Sequence, residues 1–163
     1  MAKNKTLSIV QSLDLERYMG EWHEIARLPN WFERKCVRNI SAKYKLLSNG
    51  QVLVVNSCQK NNGRLDEAVG IGRVKNGETG HLLVTFAPKL MRALPFLWAD
   101  YCVIHIDENY ENAVVGEPSR KYLWILSRKN SIAKDSLSRL IEIAQKEGFD
   151  TERLIYPASD VKQ

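Results

Sequence analysis

Among the side chains that could act as nucleophiles, bases or metal ligands, the histidines and cysteines are few. They are His23, His81, His105, Cys36, Cys58 and Cys102. Nucleophilic catalysis needs a base within hydrogen-bond reach of the nucleophile, and zinc ligands recur at short, characteristic spacings. The cysteine spacings match no zinc pattern, and Gly-x-Ser-x-Gly, His-Glu-x-x-His and phosphate-binding glycine motifs are absent. We therefore predict no catalytic residue, metal or cofactor; the alternative is an enzyme with Cys102 as nucleophile for a hydrophobic substrate.

The elements that must position these residues are short apolar segments, separated by turn signals about every ten residues, as in antiparallel sheets. The predicted strands span residues 21–28, 38–47, 52–59, 64–75, 81–87, 97–107, 113–117 and 121–128. Eight antiparallel strands in simple succession leave two sheet edges, which closure into a barrel removes. The prediction is an all-β, eight-stranded antiparallel up-and-down β-barrel, wide enough for side chains and one small ligand.

One amphipathic helix follows the predicted strands. Leu137, Leu140, Ile141 and Ala144 lie on one face, and Gly148 is a typical C-terminal stop. We expect this helix to pack on the outside of the barrel and to be followed by a short ninth strand at 153–156. Residues 14–18 are predicted to form a helical turn before the first strand. The chain is then one domain over 12–157, with tails at 1–11 and 158–163.

Composition and charge exclude several classes of protein. The chain has 163 residues, enough for one domain, and its longest apolar run is far shorter than the ~20 residues of a membrane-spanning helix. Its 24 basic and 19 acidic side chains give a net charge of +5. These charges are scattered, whereas a nucleic-acid-binding surface usually concentrates them on one helix or stripe. Nucleic-acid binding is therefore not expected. Residues 1–6 are polar, and the apolar stretch 7–10 is too short for the core of a signal peptide.

Three short motifs occur in order along the chain. Gly20-x-Trp22 opens the first predicted strand, and Arg128 ends the segment Trp-Ile-Leu-Ser-Arg. Between them, Asp107 lies in Ile-Asp-Glu-Asn-Tyr, whose spacing differs from the Thr-Asp-Tyr of the pattern it matches. Together these motifs resemble those of the lipocalin family. Within it the chain resembles the bacterial outer-membrane lipocalins, which are similar to apolipoprotein D and the plant temperature-induced lipocalins.

The resemblance implies a structural role for Gly20, Trp22, Asp107 and Arg128. Strand parity supports this role, since all four residues fall at one end of an up-and-down barrel. In the family the arginine packs over the tryptophan indole and seals that end, and a desolvated cation–π contact contributes ~1 kcal/mol or more. The opposite end then forms the open mouth of the barrel.

The mouth and the inner wall provide the candidate binding residues. The predicted ligand-binding residues are Trp31, Val54, Val84, Phe86, Trp98, Tyr122 and Trp124. The resemblance favours Trp124 facing inward, with Tyr122 nearer the mouth and Trp98 just below the rim. We expect a fatty acid or lysophospholipid in the barrel, with its headgroup at the mouth. The alternative is that the aromatic side chains plug the barrel.

Two apolar mouth loops suggest partners. One contains Pro29-Asn30-Trp31-Phe32 and the other spans residues 88–97. Such loops, with interspersed Lys and Arg, suit contact with a membrane surface or a second copy of the chain as a homodimer. The alternative is that they fold over their own barrel. The resemblance implies a lipoprotein on the periplasmic side of the outer membrane, anchored through a lipidated N-terminal cysteine. No cysteine precedes Cys36 in this sequence; without such an anchor a soluble protein is expected.

Two local features stay open at the sequence level. Cys36 and Cys58 fall at the same end of the barrel, so a disulfide can form in an oxidising compartment. The Asn49-Gly50 turn, however, places Cys58 opposite Ser41, so that the loop at Cys36 would have to fold back. Alternation from Trp22 also points Glu24 into the barrel, which requires either a bulge or a partner for its carboxylate.

Overall fold

The computed structural model describes residues 5–158. Within that range eight antiparallel strands form a closed barrel, in which each strand pairs with its sequence neighbours and the last pairs with the first. The strands are β1 (Gly20–Arg27), β2 (Cys36–Leu46), β3 (Val52–Lys60), β4 (Leu65–Lys75), β5 (Glu78–Thr85), β6 (Ala99–Ile106), β7 (Asn112–Gly116) and β8 (Leu123–Ser127). The predicted barrel is confirmed. Loops 28–35, 61–64, 86–98 and 117–122 connect strands at one end and are called the mouth loops.

Alternating side chains build two hydrophobic clusters, one on each side of the barrel wall. The inner cluster contains Trp22, Tyr44, Val54, Val103 and Leu126. The outer cluster joins the opposite faces of β6, β7 and β8 to the helix α2 (Lys134–Lys146), through Leu140, Ala144 and Phe149. The predicted C-terminal helix is therefore confirmed outside the barrel. The short helix α1 (Leu15–Tyr18), capped by the Asp14 carboxylate, precedes β1 at the end opposite the mouth loops.

A β-bulge in β1 follows Glu24, whose side chain points into the barrel and is paired. The pairing of β1 with β8 shifts between Glu24 and Ala26. Glu24 lies opposite the inner residue Leu126, whereas Ala26 joins the outer cluster. Arg27, opposite Trp124, is turned back to the inside and lies 2.8 Å from the Glu24 carboxylate. Both open alternatives are thus realised, because the strand is bulged and the carboxylate is paired.

The C-terminal segment closes a gap between β1 and β2. The register of these two strands ends at His23–Ser41. Beyond it the Ile155 backbone pairs with Arg27 in both directions, at 2.9 and 3.0 Å, and the Ala158 N–H donates to the Val37 carbonyl at 3.2 Å. The ninth strand predicted at 153–156 is thereby corrected to isolated bridges. Residues Thr151–Arg153 form a 3₁₀ turn, and Pro157 has no N–H to extend a ladder.

The N-terminal segment packs on the barrel. Leu7 is buried in the outer cluster, and the Val10 N–H donates to the Val103 carbonyl at 2.9 Å, beyond the point where β5 and β6 stop pairing. The Ser8 N–H donates to the Glu147 carboxylate at 3.1 Å, which ties the segment to the end of α2. The described part of the predicted tail at 1–11 is therefore a strap across the outside, while most of the tail predicted at 158–163 lies outside the described residues.

Candidate ligand-binding cup and its closed end

Arg128 seals the end of the barrel opposite the mouth loops. Its guanidinium lies 3.8 Å from the centre of the fully buried Trp22 indole and donates to the carbonyls of Glu21, Arg17 and Tyr110 at 2.7–3.1 Å. Gly20 has a φ of +97°, and a Cβ there would lie 3.3 Å from the guanidinium. The arginine thus bridges three chain segments, as expected of a structural residue.

Asp107 organises the turn between β6 and β7 at the same end. Its carboxylate accepts hydrogen bonds from the backbone N–H groups of Glu111 and Asn112 at 2.7 and 3.1 Å, and from the Asn112 amide at 2.9 Å. This turn presents the Tyr110 carbonyl to Arg128. Gly20, Trp22, Asp107 and Arg128 therefore lie at one end of the barrel, as strand parity predicts.

The interior opens towards the mouth loops as a cup. Its upper wall consists of inward-facing Ala42, Asn56, Ala68, Val84, Ala99 and Trp124. Asn56, Ala68 and Ala99 are exposed although they face inward, so the upper cup is open to solvent. At the bottom, Val54, Val84 and neighbouring side chains line a cavity of about 20 Å³, which holds about one water molecule. A ligand that reaches the bottom must therefore displace side chains.

Three tyrosines form the floor of the cup. Tyr18, Tyr44 and Tyr101 are joined hydroxyl to hydroxyl, at 2.7 Å between Tyr18 and Tyr101 and 2.9 Å between Tyr101 and Tyr44. Burial raises the pKa of all three phenols, that of Tyr44 to about 12, so they are neutral at physiological pH. Sequence reasoning missed this floor because the residues come from distant segments.

Aromatic side chains crowd one side of the mouth. Tyr122 and Trp124 stack with their ring centres 6.2 Å apart, and Phe32 lies 5.7 Å from Tyr122 and 6.4 Å from Trp124. Trp31 meets Phe32 edge-on but is 72% exposed. The structure thus brings three predicted residues together and adds Phe32.

Of two further predicted wall residues, Phe86 lies on the inner face of the barrel and Trp98 on the outer face. The Phe86 ring covers the inner face of Gly70: a Cβ added at Gly70 would lie 2.8 Å from the ring. Phe86 therefore lies at the inner rim. Trp98, predicted just below the rim, lies instead on the outer face. Its ring is 4.3 Å from the guanidinium of Arg73, an outward-facing residue of β4, and its indole N–H donates to the Arg92 carbonyl at 2.7 Å. The reason is that Ala99 faces inward, so alternation turns Trp98 outward.

A buried charged cluster lies beneath the aromatic side chains. The Arg27 guanidinium contacts the Glu24 carboxylate at 2.8 Å and that of Glu33, a mouth-loop residue, at 3.6 Å. Glu33 also accepts a 2.8 Å hydrogen bond from the Trp124 indole N–H. Burial and the neighbouring Glu33 carboxylate raise the pKa of Glu24 well above its usual range. The one sequence signal for this cluster was the inward parity of Glu24.

Cys36 and Cys58 form a disulfide at the mouth, with Cα atoms 5.5 Å apart. Ser41 pairs with Ser57, and two bulges between Cys36 and Ser41 place Cys36 opposite Lys60, two residues from Cys58. The bond therefore forms within the bulged strand β2, without the fold-back of the loop that the sequence suggested. It anchors the mouth loop 28–35 to β3 next to the cup.

Cys102 lies in the outer cluster, not in the cup. Burial raises the pKa of its thiol to about 12, which opposes formation of a thiolate nucleophile. Its cross-strand neighbour His81 instead contacts the Asp100 carboxylate at 2.7 Å. The geometry therefore offers Cys102 no route to a substrate in the barrel.

Comparison with known proteins identifies the family. The family model for a lipocalin-like domain matches residues 13–159. The chain belongs to the lipocalin family. It is 37% identical over 150 residues to the outer membrane lipoprotein Blc of Vibrio cholerae, covering 90% of this chain and 83% of that protein. It is also 34% identical over 156 residues to temperature-induced lipocalin-1 of Arabidopsis thaliana, covering 94% and 83%.

More distant lipocalins share the sequence or the fold. Mouse apolipoprotein D is 29% identical over 157 residues, covering 90% of this chain and 77% of that protein. The crystal structure of the cockroach allergen Per a 4 superposes with a TM-score of 0.72 at 17% identity, covering 94% and 92% of the two chains. Membership of this family supports a role in binding small hydrophobic ligands. Among residues 5–158, no helix is long and apolar enough to cross a bilayer.

Proposed function

We propose that this lipocalin binds a single-chain lipid, a fatty acid or a lysophospholipid, with its acyl chain in the cup. The observation that carries the proposal is an inner wall of aliphatic and aromatic side chains that is open to solvent at the mouth. Removing an acyl chain from water contributes about 0.8 kcal/mol per buried CH₂. The cavity at its floor, of about 20 Å³, holds about one water molecule, so the acyl chain is expected to lie above the floor unless side chains move.

The exposed mouth loops support contact with a membrane surface as the route of lipid exchange. In the loop 86–98, Leu90 is 96% exposed and Phe96 is 78% exposed, with Lys89 and Arg92 beside them. Apolar side chains flanked by cations suit an anionic bilayer surface. A homodimer through the same loops is the competing arrangement.

The names of several relatives support a cellular setting. The proteins from Vibrio cholerae and Escherichia coli are outer membrane lipoproteins by name. We propose accordingly that this chain stores or transports lipid at the bacterial cell envelope, on the periplasmic side of the outer membrane. The disulfide between Cys36 and Cys58 supports an oxidising compartment of this kind.

The proposal is tested by titrating delipidated protein with a fatty acid, a lysophospholipid and a long diacyl lipid, following tryptophan fluorescence. We expect saturable binding of the single-chain lipids at micromolar or lower concentration. Trp124→Ala should weaken binding about tenfold by calorimetry, because the ring borders the cup. Trp98→Ala is the matched control, since that indole lies outside the barrel. No response to either single-chain lipid would mean that the side chains plug the barrel and would refute the proposal.

A further inference from the structure

Glu33 has an unusual position for a residue of an exposed loop. The loop 28–35 carries the exposed Trp31 and Phe32, yet the Glu33 side chain is only 16% exposed and reaches down to Arg27. Its carboxylate accepts hydrogen bonds from the Trp124 indole at 2.8 Å and the Asn30 amide at 3.2 Å. A carboxylate on a flexible side chain therefore occupies the inner side of the mouth.

The pairing between Glu33 and Arg27 is incomplete. Arg27 Nε and Glu33 Oε2 are 3.6 Å apart, too far for a hydrogen bond. Both atoms are buried. Arg27 Nε has no hydrogen-bond partner within the described part of the chain, whereas the Glu33 carboxylate lies within hydrogen-bond reach of the Glu24 carboxyl group. Buried polar atoms without partners cost free energy, so another carboxylate that fits closer to the guanidinium would bind there more favourably.

The charges of the cluster also favour exchange of one carboxylate for another. Glu24 makes the closest contact with Arg27, at 2.8 Å, but burial and the neighbouring Glu33 keep the pKa of Glu24 high. A protonated Glu24 leaves Glu33 as the anion that balances the guanidinium. Replacing the Glu33 carboxylate with that of a ligand keeps this balance, whereas a neutral headgroup would leave Arg27 without an anion.

The loop is attached in a way that allows Glu33 to leave without unfolding the barrel. On one side Leu28 is buried and its N–H donates to the Leu123 carbonyl at 3.0 Å. On the other side Cys36 is bonded to Cys58. Outward movement between these two points would withdraw Phe32 and Glu33 together and would break the 3.2 Å hydrogen bond from Arg27 Nη2 to the Glu33 carbonyl. It would expose the donors of Arg27 and Trp124 above the apolar wall.

We propose that Glu33 is a built-in competitor for the carboxylate of a fatty acid, which takes its place beside Arg27 and the Trp124 indole N–H. This proposal rests on the proposed function and narrows it to anionic, carboxylate-headed lipids. It places the headgroup under the loop 28–35, on buried donors, with the acyl chain below it in the cup. The loop then opens in exchange for the ligand.

The test compares a fatty acid with the fatty alcohol of the same chain length, by calorimetry. Glu33→Gln should bind the acid about tenfold more tightly than the wild type, because a charged hydrogen bond is no longer contested, and should bind the alcohol within about twofold. This variant should fold because Glu24 stays beside Arg27 and, without the Glu33 charge that helps to raise its pKa, can ionise and balance the guanidinium until the ligand carboxylate binds. Asp66→Asn, which removes one negative charge at the mouth near Lys60, is the matched control and should change neither affinity.

A second variant removes the cation that would bind the ligand carboxylate and leaves the loop 28–35 unchanged. Glu24→Gln combined with Arg27→Gln replaces the buried ion pair by amides, and should weaken the acid about tenfold while sparing the alcohol. Equal changes for acid and alcohol in Glu33→Gln, or an unchanged acid affinity, would overturn the competitor role while leaving lipid binding in place. Failure of both ligands to bind any of the proteins would instead refute the proposed function, and this inference with it.

Discussion

At the scale of single residues, the closed end of the barrel depends most on Arg128. Arg128→Ala removes the cation–π contact with Trp22 and hydrogen bonds to three carbonyls. We expect the free energy of unfolding to fall by about 2 kcal/mol in urea denaturation, with lipid affinity unchanged. Arg17→Ala is the control: it removes a similar contact, 4.1 Å from the Tyr110 ring, at an exposed site, and should cost less than about 1 kcal/mol. Loss of lipid binding by a stable Arg128→Ala protein would contradict the structural role.

Glu24 should make the stability of the protein depend on pH. Burial and the Glu33 carboxylate raise its folded-state pKa above the ordinary value of 4.5. Above pH 4.5 the unfolded chain loses this proton while the folded chain keeps it. The contribution of the bound Glu24 proton to the free energy of unfolding is therefore complete below pH 4.5. It is lost as the pH rises towards the folded pKa, by at most about 1.4 kcal/mol per pH unit.

The corresponding measurement is chemical denaturation of wild type and Glu24→Gln between pH 4 and pH 9. The amide resembles the protonated carboxyl group, so the stability of the variant relative to wild type should increase with pH across this window. Parallel pH curves for the two proteins would show that Glu24 is ionised in the fold and paired with Arg27 throughout.

Residue positions were predictable where a motif and strand parity agreed. Trp22 and Arg128 were expected at one end and are in contact. The cluster of Glu24, Arg27 and Glu33 was not predictable, because a bulge resets the alternation after Glu24 and a loop residue enters the barrel from above. Such a placement depends on tertiary contacts that no periodic pattern records.

At the scale of elements, the strands were predictable because apolar alternation and Asn-Gly turns determine them together. The predicted strand bounds were wrong where a turn takes up residues that were assigned to the end of a strand. The sixth strand was expected from residue 97, but Pro95–Leu97 forms a 3₁₀ turn and β6 begins at Ala99. This difference accounts for the wrong placement of Trp98. The last predicted strand likewise fails because a 3₁₀ turn and Pro157 interrupt it.

The mouth loop 86–98 should attach the protein to anionic membranes. Replacing both Leu90 and Phe96 with Asp should abolish co-sedimentation with vesicles that contain phosphatidylglycerol, because it removes exposed apolar area and adds negative charge. The thermal midpoint should change little, since both side chains are exposed. Val69→Asp is the control, as Val69 is 58% exposed on the outer face of β4. Undiminished co-sedimentation of the double variant would exclude this loop as the contact.

At the scale of the whole molecule, the contacts that seal the barrel and the proposed ligand-binding site lie at opposite ends. The contacts of Arg128 and the N-terminal strap hold the closed end and the outside. The open end carries exposed apolar side chains and a buried ion cluster, which are unfavourable for stability and useful for binding. This separation allows the mouth to vary while the closed end keeps the barrel intact.

The pairing of β1 with β8 also determines when the barrel can close during translation. His23 pairs with Ser127, about a hundred positions later. At typical synthesis rates of about 5 to 20 residues per second, β1 waits about 5 to 20 seconds for this partner to be made. During that interval the nascent sheet has two free edges and an unshielded apolar face. Until β8 is available, these edges are free to pair with other chains.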